Sequence, residues 1–489
     1  MTIPFNQVPA NMRVPFLYAE FDNSNAVQGP QTQPYNVILI GPMLNSGTKA
    51  EKTKHLVTSK ADAKTFFGEG SLIAEMIGKF LDINRTNELY CIGLKDDVAG
   101  VAAAGSVKLT GAPTSAGTLS LYIGGIAAKV AVASGASLAS IATALQAVLA
   151  ANSDLLVTAA VDGVDTAKIN LTAKSKGLPG NDIDIRFNYN SDEDFPTGMG
   201  ATIVSMAGGL TNPSIADALA VIGDGQYIQL ISAFRDSSNM GLMEAELADR
   251  FGPIKQNDGY CHYAAKGTLS ELNAIGDARN SQFSIIHRAG GPTHPACQAA
   301  AKVAVISPAA QIDPARPFQT LAVPGILPES EEEMLELEDR NILLFHGIST
   351  DKVVGTQVVI ERVITTYKKN NAGADDVSYL DLNTLLTLSY LRYDWRNYML
   401  RKYPRHKLAS DGNRFAAGQP IMTPKLGKAE AVAKFKEWQL NGLVEGLDQF
   451  KAGLMVERAT GSVNRLDFLL PPDLVNQLMV IGTQFGFLL

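Results

Sequence analysis

From Pro213 onward the chain alternates short apolar runs with longer amphipathic ones, and few architectures tolerate that rhythm. Residues 227–231, 259–264 and 283–287 have strand length and almost no charge. Residues 239–251, 270–280 and 295–305 have helical spacing. Strand–helix alternation predicts a mainly parallel sheet, covered by helices and joined by right-handed crossovers. The same order begins earlier. Residues 35–41 form a nearly continuous apolar run, the mark of a strand buried on both faces. An amphipathic helix over 71–82 and a short strand over 88–93 follow.

Residues 99–206 break the rhythm. They are rich in Ala, Gly, Ser, Thr and Val. Strands at 118–123 and 126–132 flank Gly124 and Gly125, a hairpin signal. Ser137 can cap a helix to residue 150, with Leu138, Ile141, Leu145 and Val148 on one side. Further strands are expected at 155–161, 168–173 and 183–189. This reads as a small α+β domain inserted into an α/β core of residues 31–98 and 207–312.

Residues 313–460 are expected to form a C-terminal α+β domain, entered through a proline-rich connector. A helix over 329–339, strands over 341–346 and 356–365, and a long helix to about residue 403 are predicted there. Asp381 or Asn383 would cap the long helix, whose stripe runs Leu385, Leu388, Leu391, Trp395, Tyr398 and Met399. A second helix spans about 428–440, and short strands at 453–457 and 465–470 precede the end.

Both extremities carry extended apolar segments. Near the N-terminus, within residues 1–30, Val14, Phe16, Leu17, Tyr18 and Phe21 form a strand candidate in which Pro15 denies the ladder one donor. Within residues 461–489, Met479, Ile481, Phe485, Phe487 and Leu489 share one face at period two, interrupted by Thr483. Chain ends are usually polar. Burying those five side chains gains roughly 7–15 kcal/mol, at about 1.5–3 each. Fixing about a dozen residues costs roughly 12–24 kcal/mol of backbone entropy. The tail therefore needs a ladder on a preformed sheet edge, in its own chain or in a neighbour.

Composition narrows the function classes. The formal net charge of −7 argues against general binding to nucleic acid or to an anionic membrane. No basic stretch is interleaved with stacking aromatics. Cys91, Cys261 and Cys297 are too few for a disulfide framework. The first residues lack the charged and apolar regions of a signal peptide, and no apolar run is long enough to span a membrane.

Motifs for chemistry are weak. The loop from Gly41 to Lys49 places five residues between its glycines and reverses the Lys-Thr order of a phosphate loop. Gly223 and Gly225 lack the third glycine of a dinucleotide fingerprint. No serine sits in a nucleophile elbow. Cys261, His262, His294 and Cys297 could converge on zinc, but without the usual spacing they read as core or loop residues, as does His287. No cofactor, metal or catalytic residue is expected. Residues 329–339 hold seven acids in eleven. Glu331, Glu332 and Glu333 could meet a basic cluster of Arg401, Lys402, Arg405 and Lys407 on an adjacent subunit, or both could be solvated faces.

Several stretches carry a family resemblance. They are Asp313–Pro317 (DPARP), residues 378–381 (SYLD) leading into 383–392 (NTLLTLSYLR), 403–407 (YPRHK), 470–477 (LPPDLVNQ) and, in the insertion, 180–186 (GNDIDIR). With the apolar terminus they resemble the tail sheath proteins of contractile-tailed bacteriophages, the Mu-like branch. The resemblance implies a subtilisin-like core by fold and not by proteolysis, an insertion projecting outward, and a C-terminal domain facing the tail tube. It implies six-fold rings stacked around the tube, linked by strands that both arms lend to neighbouring copies. Contraction would drive the tube through the host envelope. Tail tube, baseplate and tail terminator proteins would be partners, with assembly in the host cytoplasm and residence in the virion tail. The sheath of a phage-derived bacteriocin or injection system would share these features. An α/β hydrolase is the enzyme alternative.

Overall fold

The computed structural model describes residues 33–416 and 418–488. The N-terminal candidates Val14, Phe16, Leu17, Tyr18 and Phe21, and the terminal Leu489, lie outside the described residues.

Six parallel strands form the centre of a nine-stranded sheet. In spatial order they are Leu89–Leu94, Val37–Pro42, Gln229–Ser232, Tyr260–Ala265, Ser284–Arg288 and Ile348–Val354. Antiparallel strands close both sides. Lys54–Leu56 lies beyond Leu89–Leu94, and Gln357–Arg362 followed by Ala322–Val323 lies beyond Ile348–Val354. The architecture is α/β around a mainly parallel sheet, as the alternation predicts.

Burial of both faces explains the sequence pattern. Every residue of Val37–Pro42 and Tyr260–Ala265 is buried. Val37 and Leu39 face one cluster, with helices Leu72–Ile83 and Pro295–Ile312. Ile38 and Ile40 face the other, with helices Ser237–Phe251 and Leu269–Asp277 and the start of Leu382–Lys402. A two-residue period thus becomes a continuous apolar run, because neither face meets water.

Helix Pro295–Ile312 runs past the predicted end, through Pro308. Pro308 has no N–H to offer the carbonyl of Ala304. The Asn84 side chain donates to that oxygen instead, at 3.1 Å. Ser137 caps its helix as expected, and Ser71 caps Leu72–Ile83 in the same way. Ser71 accepts from the Ala74 amide and Ser137 from the Ser140 amide.

The insertion builds two sheets of its own. One holds Met199–Ala207, Ala102–Gly111, Lys168–Lys176 and Val157–Val161; the other holds Ile126–Val132, Gly117–Ile123 and Ile185–Phe187. The hairpin at Gly124 and Gly125 has φ of 58° and 85°, the doubly positive turn that favours glycine. Its apolar residues join the cluster beneath the large sheet, so the two parts share one core.

Two sequence expectations fail after residue 312. The core does not stop there, because Ala322–Val323, Ile348–Val354 and Gln357–Arg362 extend the large sheet. The residues read as a helix over 329–339 and a strand over 341–346 form a 3-10 turn, Glu331–Glu333, and helix Leu337–Phe345. A four-residue apolar run, Ile342 to Phe345, does not distinguish strand from helix by periodicity.

A third cluster forms the C-terminal body. Helices Leu382–Lys402 and Pro424–Leu440 enclose Leu391, Phe435, Trp438 and Phe450. The Phe435 and Phe450 rings stack at 4.1 Å. Buried Lys434 is neutralised by Asp394 at 2.8 Å, which also accepts from the Trp438 indole at 2.6 Å.

Candidate assembly surface

The C-terminal segment is fastened at its root and then released. Asp473–Leu474 pairs antiparallel with Val444–Glu445. The Val475 amide donates to Leu443 O at 3.2 Å, and Gln319 donates to Leu478 O at 3.2 Å. Beyond Leu478 the described residues form no strand, against the expectation from period two. A strand requires a ladder partner, and the described residues supply none there. Ile481, Phe485 and Phe487 are 75%, 89% and 80% exposed, and Met479 is half-buried.

Nearby lies an unfinished sheet. Among the described residues Met455–Arg458 and Leu466–Leu469 pair only with each other. One face is packed, since Phe468 meets Trp395 edge-on at 5.4 Å and a Cβ on Gly427 would touch Val456 and Phe468. Neither strand has a second partner among the described residues, and on the other face Met455 and Leu469 are more than half exposed. A two-stranded ribbon is marginal alone, and its free edges can accept further strands.

The charged candidates divide. Glu331, Glu332, Arg401 and Arg405 are exposed; Lys407 is also exposed and donates to Gln419. Glu333 and Lys402 are engaged within the chain. Glu333 receives a bidentate Arg186 at 3.0 and 3.1 Å. Lys402 pairs with Glu430 at 2.7 Å and bonds the Tyr398 hydroxyl. Burial opposes the charge on Lys402, yet the bond to Glu430 raises its pKa above the usual lysine value.

The residues weighed for chemistry are spread through the core. Cys261 and Cys297 belong to different clusters. The His262 and His287 rings stack and share a 2.9 Å hydrogen bond, and His262 also meets Gln229 at 2.6 Å. Burial lowers His262 to about 3 and depresses His287 as well. His294 pairs with the Pro179 carbonyl at 2.9 Å. Among the described residues no group of His, Cys, Asp and Glu could hold a metal, and no helix is long and apolar enough to cross a membrane.

Comparison with known proteins decides the family. The model of the phage tail sheath protein central domain matches residues 208–366, and that of the phage tail sheath C-terminal domain matches 374–485. The Mu-like prophage tail sheath protein of Haemophilus influenzae is 42% identical over 493 residues, covering all of both chains. The chain belongs to the phage tail sheath family. This sheath protein is structural and not an enzyme. The crystal structure of the sheath tail protein from Desulfitobacterium hafniense superposes with a TM-score of 0.50 at 12% identity, over 95% of this chain and 97% of that one. A contracted sheath of the anti-feeding prophage, solved by cryo-electron microscopy, is similar at 8% identity and a TM-score of 0.46, over 97% and 99%. The central-domain match extends to residue 366, like the large sheet and unlike the boundary expected at 312.

The acid run and basic cluster were visible in sequence, but not the division between exposed and engaged charges. Arg186 and Glu333 are 147 residues apart, and no local signal announces such a pair.

Proposed function

We propose that the chain polymerises as stacked six-fold rings around a tail tube, with its terminal arms adding strands to sheets of neighbouring copies. The observation that carries this reading is the tail from Met479 to Leu488, apolar and in no strand among the described residues, together with a ribbon that gains no third strand among them. Main-chain bonds from strand addition would supply what side-chain burial alone cannot. Val14, Phe16, Leu17, Tyr18 and Phe21 would form the second arm.

In this reading the large sheet is the subtilisin-like core, the insertion points outward and the C-terminal body faces the tube. Contraction is a slide of rigid bodies that keeps the strand links, with Gly461 and Ser462 and residues 23–30 absorbing the change. New contacts between copies provide the energy. The tube would then be driven through the host envelope, with baseplate and tail terminator proteins at the sheath's two ends. Assembly would take place in the host cytoplasm.

Truncation after Gln477 tests the reading. The shortened chain is expected to melt like the full one and to form no tubes in negative stain. Tubes of ordinary length from the truncated chain would refute strand linkage.

A further inference from the structure

Helix Leu337–Phe345 carries one buried residue, Leu343. Among the described residues nothing covers its outer side. Leu337 and Phe345 are 65% and 75% exposed, and Met334 and Ile342 are exposed beside them. Positions 337, 341 and 345 share a face at helical spacing. Around this apolar centre stand Glu331, Glu332, Glu336 and Glu338, all exposed. The neighbouring charges Glu329, Glu333 and Arg340 are occupied by Arg288, Arg186 and Glu361. The outward four have no cation partner among the described residues.

Residues 400–415 of the C-terminal body carry the opposite sign. Leu400 and Phe415 are exposed there, in the company of exposed Arg401, Arg405, Lys407 and Arg414. No ion pair among the described residues connects the two patches within one chain.

We propose that the Leu337–Phe345 face of one copy docks on the Leu400–Phe415 face of a second copy. This inference rests on the sheath reading and adds a contact that the arms do not make. Neither patch can meet itself across a two-fold axis, because like charges would be opposed. Each fits the other, and such a head-to-tail contact continues around a ring or along a helix. Exposed ion pairs contribute little individually. The apolar centres therefore supply the contact area, and the charged rims set orientation and exclude wrong registers.

The test is charge exchange in the full-length chain. The variants Glu336→Lys/Glu338→Lys and Arg401→Glu/Arg405→Glu alter exposed side chains, and unchanged thermal melting would verify their fold. Each should lower tube yield about tenfold, the effect of some 1.4 kcal/mol per contact. Combining both exchanges in one chain restores the complementarity with its signs reversed and should recover most of the yield. Phe345→Ser, which carries no charge change, should also lower it. The proposal is overturned if either exchange polymerises like the parent, or if the combined variant does no better than each alone. Failure of the sheath reading is separately visible, as a parent chain without tubes or a Gln477 truncation with them.

Discussion

The Arg186 guanidinium grips the Glu333 carboxylate through two bonds of 3.0 and 3.1 Å, tying the insertion to the segment that follows the large sheet's proline-rich connector. Arg186 also pairs with Asp184, which receives Lys266 at 2.6 Å. Arg235 holds Asp182 at 2.7 Å, and the Tyr189 hydroxyl donates to Pro328 O at 2.9 Å. Four polar links over a shared apolar core couple the insertion to the sheet and to the segment after it.

Asp184 is the most exacting member of that junction. Burial raises its pKa, but Arg186 and Lys266 more than offset this and hold it below the usual carboxylate range. Asp184→Asn leaves Lys266 without its carboxylate and Arg186 with Glu333 alone, and should cost about 1–3 kcal/mol. Urea unfolding is expected to show the loss. Limited proteolysis should cut first between the insertion and the core.

The C-terminal body has its own core and should respond separately. Phe450→Ala removes the ring stacked on Phe435 and should destabilise that body by about 3–5 kcal/mol. Hydrogen exchange should quicken in Pro424–Leu440 and remain slow in Val37–Pro42 and Tyr260–Ala265.

Acid should weaken the fold through the histidine pair. Burial holds His262 at about 3 in the folded chain, below the ordinary imidazole value of about 6.5. The unfolded chain therefore binds more protons between those limits. The stability this neutral imidazole contributes is complete above 6.5 and is lost progressively as pH falls towards 3. The slope reaches about 1.4 kcal/mol per pH unit for one proton. Urea midpoints measured across this range should fall with acidification, and His262→Asn should make the decline shallower.

The apolar tail should matter for assembly and not for folding. Phe485→Asp with Phe487→Asp changes two exposed side chains, so melting should shift by less than about 0.5 kcal/mol. Sedimentation should nevertheless show subunits where the parent chain gives polymers.

Much of the sheet is legible in sequence, because burial on both faces leaves continuous apolar runs such as Val37–Pro42. One helix start was marked by Ser137, whose hydroxyl accepts from the Ser140 amide. What escaped was non-local. Ile348 lies beside Ile286 through a pairing 62 residues long in sequence, and nothing near Ile348 specifies it. The candidate surface divides likewise. The apolar pattern of the tail was legible in its own residues, whereas its exposure, the occupation of Glu333 by Arg186 and that of Lys402 by Glu430 required the folded chain.

Cryo-electron microscopy of the assembled full-length protein tests strand sharing most directly. The account predicts that Met479 to Phe487 of each copy lie in a hydrogen-bonded ladder on a different copy. Density for those residues folded back on their own subunit, with no backbone bond to another, would contradict it.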